Sequence, residues 1–239
     1  MRTVVSRRRF LASVTTLAGS AVATRVSAAA PPKETGLSSE GLLAGRAGFQ
    51  PRTVVPLPYQ ELPGFLSRAQ LDTHHADYVR EVARLKEVEQ RLQDPSLDAS
   101  RYGDLRRAQV VAANGMLLHE LYFGNLASVK VDVPRYIEGH MGEHIGSMET
   151  WAADFTRCAH GAKAWAVLVY DPYDDRWHNV MMESNDAGIW LGANPLVVCD
   201  VSEHAFGNDY GRREDYVAKF IDRIDWNEVT KRYKAVDRM

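Results

Sequence analysis

Between Ser67 and about Gln93 apolar or half-apolar side chains recur at three- and four-residue steps, at Leu71, His75, Tyr78, Val82, Leu85 and Leu92, with charged residues between them. That period is one face of an α-helix. Ser67 and Gln70 have the spacing of a capping box, and Leu66 and Leu71 sit where a hydrophobic staple would place them, so the helix is expected to start at Ser67. Asp94-Pro95-Ser96-Leu97-Asp98 breaks it, and a second helix is expected from about Asp104 to Tyr122, antiparallel to the first. After Asp132-Val133-Pro134 weaker helical periods cover about 135–142 and 146–158. The period then changes to that of strands. Trp165 to Tyr170 and Trp177 to Met182 flank the turn Asp171-Pro172-Tyr173-Asp174-Asp175, Pro195 to Asp200 is a third strand, and helix resumes from Arg212. The pattern predicts an α+β fold: a long antiparallel helical hairpin over 58–130, then an α/β domain over 131–239 built on a three-stranded antiparallel sheet.

Residues 29–57 carry Pro31, Pro32, Gly36, Gly41, Gly45, Gly48, Pro51 and Pro56, the punctuation of an extended lead-in without a core of its own. Residues 1–28 have the form of a targeting segment: Ser6-Arg7-Arg8-Arg9-Phe10-Leu11, a mildly apolar run to Ala23, and Ala28-Ala29-Ala30 before the prolines. The arginine pair is similar to a twin-arginine signal, which implies a folded protein exported to the periplasm or beyond. The apolar run is shorter than the roughly 20 residues of a spanning helix, so stable membrane insertion is not expected.

The chain has 239 residues and a formal charge of −2, but its first 28 hold five arginines and no acid, so the remainder carries −7. That acidity leaves no electrostatic footprint for nucleic acid. Cys158 and Cys199 are too few for a disulfide framework, and Cys199, inside Leu196-Val197-Val198-Cys199, is expected to be a buried thiol. There is no phosphate-binding glycine loop and no nucleophile elbow.

Candidate metal ligands fall in three segments: His74 and His75, His119, and Asp200 with His204. Imidazoles with one carboxylate and no thiolate suit iron or manganese better than structural zinc. His140 and His144 stand four apart, but His140-Met141-Gly142-Glu143-His144 is interrupted by glycine and lacks the H-E-x-x-H order of a zinc protease, so both are read as loop histidines.

From Leu57-Pro58-Tyr59 to Tyr233 the chain resembles the iron/manganese superoxide dismutases. The matching segments are Phe65-Leu66-Ser67 through His74-His75, His119 through Leu126, Asp200 through Ala205, and Asp225-Trp226-Asn227-Glu228-Val229. The resemblance implies superoxide disproportionation at one iron or manganese ion per subunit, held by His74, His119, Asp200 and His204 with a solvent ligand. The family's two histidine pairs, one turn apart, appear here as a single pair. If the missing turn lies upstream, Gln70 takes the ligand position; if downstream, His74 does. The Ser67 cap, the work expected of Gln70 in the capping box and the likeness to a shorter branch of the family favour His74.

Around that site the resemblance places Asn185 where the family has a Gln or His that binds the metal-bound solvent. Trp165 matches the first of two tryptophan positions of the family, while Val167 replaces the second. Ser202 and Phe206-Gly207 replace aromatic positions, and Glu81 stands where a Tyr gates entry. Tyr78, one turn after His74, is expected to donate its hydroxyl near the substrate channel. Gly115 leans toward the manganese type. Glu203 matches a residue that reaches across a dimer interface, implying a homodimer. The alternative reading is an exported metal protein of the same fold with lost or altered redox activity, or, more remotely, a metal-free module on that scaffold.

Overall fold

The computed structural model describes residues 53–237; the expected signal over 1–28 and most of the lead-in lie outside the described residues. Helix α1 (Arg68–Arg91) and helix α2 (Ala99–Gly124) form the hairpin. Ser67 caps α1, its hydroxyl accepting from the Gln70 amide N–H at 3.2 Å. The α1 stripe Leu71, Tyr78, Val82 and Leu85 is at most 4% exposed, and each leucine or valine so buried contributes about 1.5–3 kcal/mol. Helix α2 begins five residues earlier than the pattern predicts, because Asp98 caps it by accepting from the Arg101 N–H at 2.9 Å. The break between the helices is correspondingly short.

Two shorter helices follow, α3 (Arg135–His144) and α4 (Met148–Gly161), the latter capped by Ser147. Strands β1 (Trp165–Asp171), β2 (Arg176–Met182) and β3 (Asn194–Asp200) make an antiparallel sheet in the order β2-β1-β3. Every residue of β1 is buried, as befits a central strand covered on both faces. Pro195 enters β3 on the sheet edge, where its missing N–H costs no ladder bond, and the register slips between Leu168 and Val169. Helices α5 (Arg213–Ile221) and α6 (Trp226–Val236) close the chain. Among the described residues no helix is long and apolar enough to cross a membrane.

One continuous core joins the hairpin to the sheet, from Leu71, Tyr122 and Met116 to Val167, Val198 and Phe220. Asn125, fully buried at the end of α2, ties the parts together. Its side chain accepts from the Val198 N–H at 2.7 Å, and its carbonyl accepts from the Asp225 N–H at 2.9 Å. Arg232 of α6 donates to the carbonyls of Leu121 and Leu196, fixing α2 against β3. These bonds set the C-terminal end of β3, and so Asp200, opposite the inner faces of α1 and α2. Cys199 is buried beside Tyr216, and both cysteines are free thiols.

Candidate metal centre

His74 lies on the buried face of α1 and His119 on that of α2. Asp200 ends β3, paired with Trp165 at the start of β1, and His204 sits in a single 3-10 turn, Glu203–Ala205. The ligand-capable atoms of these four residues lie within 4.8 Å of one another. His74 Nε2 and His204 Nε2 are 2.9 and 3.1 Å from Asp200 Oδ2, and His119 Nε2 is 3.9 Å from the same oxygen. The other carboxylate oxygen accepts from the Ser202 N–H at 2.8 Å, which turns the chain sharply after β3 and returns His204 to the centre. His74 and Asp200 are fully buried and His119 nearly so, whereas the His204 side chain is 40% exposed.

The donors are prepared for a cation. His119 Nδ1 bonds the Gly115 carbonyl at 2.6 Å, which puts the proton on Nδ1 and leaves Nε2 with a lone pair, buried and without a partner. Burial, reinforced by the neighbouring His74, depresses the His119 pKa to about 4. Burial also lowers that of His74, against the pull of Asp200. For Asp200 burial alone would raise the pKa, but hydrogen bonds from His204 and His74 hold the carboxyl well below the usual range. Burial opposes protonation of His204 too, yet Asp200 raises its pKa. Three imidazoles and an ionised carboxylate with an orphaned buried nitrogen fit a first-row metal ion.

These shifts predict acid lability of the metal-free protein. The unfolded chain protonates His119 below about 6.5 while the fold resists until about 4, so stability falls as pH drops through that window. The loss is about 3 kcal/mol. His204, shifted upward, contributes the opposite sign from a more exposed position. A thermal midpoint falling by roughly 5–10 °C between pH 6.5 and 4 is expected. A flat midpoint would show that His119 is not held neutral.

Around the centre, Trp165 meets the His119 ring edge-on at 5.0 Å, and its indole N–H donates to Asn185 Oδ1 at 2.9 Å. The Asn185 carbonyl accepts from Asn114 at 2.7 Å. Gly115 makes room here: a Cβ would stand 2.5 Å from Asn185 Nδ2 and 2.9 Å from the Glu81 carboxyl carbon. Glu81 packs against this glycine with Oε2 buried and unpartnered, and burial raises its pKa. Gly207 has a similar reason, since a Cβ would lie 2.9 Å from the Glu203 carbonyl, to which the Gly207 N–H donates.

The Tyr78 hydroxyl donates to Glu120 Oε1 at 3.0 Å and accepts from the Val55 N–H at 3.0 Å. One expectation needs correcting. The capping box is only half formed. Ser67 N–H donates to Asp209, while the Gln70 carboxamide donates to the His204 carbonyl at 2.7 Å and accepts from the Asn208 N–H at 2.8 Å. Gln70 is thus a clamp on the loop that carries His204. Sequence patterning hid it because both partners lie more than 130 residues away. Glu203 is exposed next to His204.

A family model described as iron/manganese superoxide dismutases, C-terminal domain, matches residues 135–232. Superoxide dismutase [Mn] 2 of Haloferax volcanii is 34% identical over 190 residues, covering 75% of this chain and 94% of that protein. Superoxide dismutase [Fe] of Cupriavidus metallidurans is 32% identical over 138 residues, 56% of this chain and 69% of the relative. Superoxide dismutase [Fe] of Aquifex aeolicus is 28% identical over 186 residues, 73% and 87% of the two chains. With the helical hairpin, the three-stranded sheet and the convergence of His74, His119, Asp200 and His204, these matches establish that the chain belongs to the iron/manganese superoxide dismutase family.

Proposed function

We propose that this protein is a superoxide dismutase, converting two superoxide anions and two protons to oxygen and hydrogen peroxide at one iron or manganese ion. The observation that carries the reading is the convergence of three imidazoles on one buried carboxylate in a chain of this family. His74, His119, Asp200 and His204 are the proposed ligands. A bound ion would supply the reversible one-electron change that the two half-reactions need.

The chain's own residues set the conditions. Asp200 supplies a permanent negative charge, and Gly115 fixes the His119 tautomer. Trp165 links the His119 ring, which it meets edge-on, to the Asn185 carboxamide, whose Nδ2 also donates to the Val111 carbonyl at 3.4 Å, and Asn185 is the proposed partner of solvent at the centre. The Glu81 carboxyl, its pKa raised by burial, stands with the Asn185 amide against Gly115. The exposed edge of His204 beside Glu203 supports a homodimer in which a second copy covers this side. The arginine pair at residues 7–8 supports twin-arginine export and a periplasmic or secreted location.

The deciding experiment is elemental analysis of the purified protein paired with a superoxide consumption assay on the same sample. About one iron or manganese per chain, with consumption proportional to that content, is expected. Full metal content with negligible consumption would favour the metal protein of altered activity, and absence of both metals after expression in metal-rich medium would overturn the reading.

A further inference from the structure

On α3, His140, Glu143 and His144 stand at positions i, i+3 and i+4, and their ligand-capable atoms lie within 4.8 Å of one another. They are helical, not loop residues, because Ile145 and Gly146 close the helix on the Met141 carbonyl just beyond them. An imidazole at a helix C-terminus ordinarily protonates and bonds the last carbonyls. His144 does neither: both ring nitrogens are buried without a hydrogen-bond partner. Burial, then the adjacent His140, lowers its pKa, so the ring is neutral and keeps a lone pair.

His140 is oriented from behind. Its Nδ1 is 3.4 Å from the Tyr233 hydroxyl, and with the Nδ1 proton donated to that oxygen the lone pair is on Nε2. Such an outer hydrogen bond is what fixes metal-binding imidazoles. Trp177 lies nearly parallel to both rings, 5.5 Å from His144 and 6.0 Å from His140, and Tyr136 and Tyr233 stand edge-on to His140. The pair therefore has an aromatic wall behind it and an exposed carboxylate, Glu143, beside it.

We infer that His140, Glu143 and His144 form a second metal site, which takes a divalent cation of the zinc type and leaves one coordination position open to solvent. Two imidazoles and a carboxylate are a donor set that zinc holds with an open position. Binding would draw the donor atoms to about 3.3 Å from one another, the edge of a tetrahedron with bonds near 2.0–2.1 Å. None of the three belongs to the centre built on Asp200, so the two sites load independently.

The test uses the full chain with its iron or manganese already bound. Zinc chloride is titrated calorimetrically, and zinc, iron and manganese are then counted in the dialysed product. One added zinc per chain with the iron or manganese unchanged is expected, and the double variant His140→Ala/His144→Ala loses that equivalent. Glu143→Gln, at an exposed position, weakens binding by at least about tenfold. Zinc that only displaces the resident metal overturns the site, as does an added equivalent that persists in the double variant. Should the double variant not fold, unweakened binding by Glu143→Gln overturns it instead.

Discussion

Asp200→Asn leaves a folded protein that no longer retains its metal. The substitution keeps the volume of a fully buried side chain but removes the one anionic donor among three neutral imidazoles. A cation taken out of water then loses its only charged partner. Removing one member of such a buried pair costs roughly 3–5 kcal/mol, a loss of affinity of about 10²- to 10⁴-fold. Dialysis against a chelator followed by elemental analysis reads it directly, with circular dichroism reporting the fold. Metal retained as in the parent protein would remove Asp200 from the ligand set.

The second large effect is expected at a residue outside the ligand set, one that holds the His204 backbone. Gln70→Ala leaves the His204 carbonyl and the Asn208 N–H without their partners. Both bonds are part-buried and both residues exposed, so water replaces part of what is lost and unfolding free energy should fall by about 1–3 kcal/mol. Gln70→Glu preserves the acceptor for Asn208 but turns a second oxygen toward the His204 carbonyl, and is expected to recover little. Denaturant unfolding measures the stability, and the rate of metal transfer to a chelator measures the loosened loop. Parent-like values for both would show that Gln70 is a passive filler.

The contrast between these two residues shows what was legible beforehand. The helices and strands were readable wherever a buried stripe imposed a period, as on α1 with Leu71, Tyr78, Val82 and Leu85. The convergence of His74, His119, Asp200 and His204 was readable because these residue types are chemically restricted and the resemblance fixed their order. Boundaries that depend on one capping bond were less so: Asp98 starts α2 ahead of the apolar pattern. Polar side chains with a choice of partners were least legible. Ser67 and Gln70 have the spacing to bond each other reciprocally, yet each spends its second bond on the loop after β3. The Tyr78 hydroxyl likewise bonds Glu120 and Val55, partners that lie 42 and 23 residues away along the chain. A local rule sees only neighbours along the chain, while these bonds join segments that the fold alone brings together.

The uneven cover over the four proposed ligands bears on how an ion gets in and out. Three are anchored on long helices or the sheet and cannot retreat without disrupting the core, whereas His204 rides on a three-residue turn with two-fifths of its side chain in water. Exchange of the ion therefore requires only a small excursion of that turn, not global unfolding, and its speed is set by local opening. A chain that had already folded could still be loaded through this swinging residue, and anything that packs against it would slow departure of the ion without adding a single bond to it.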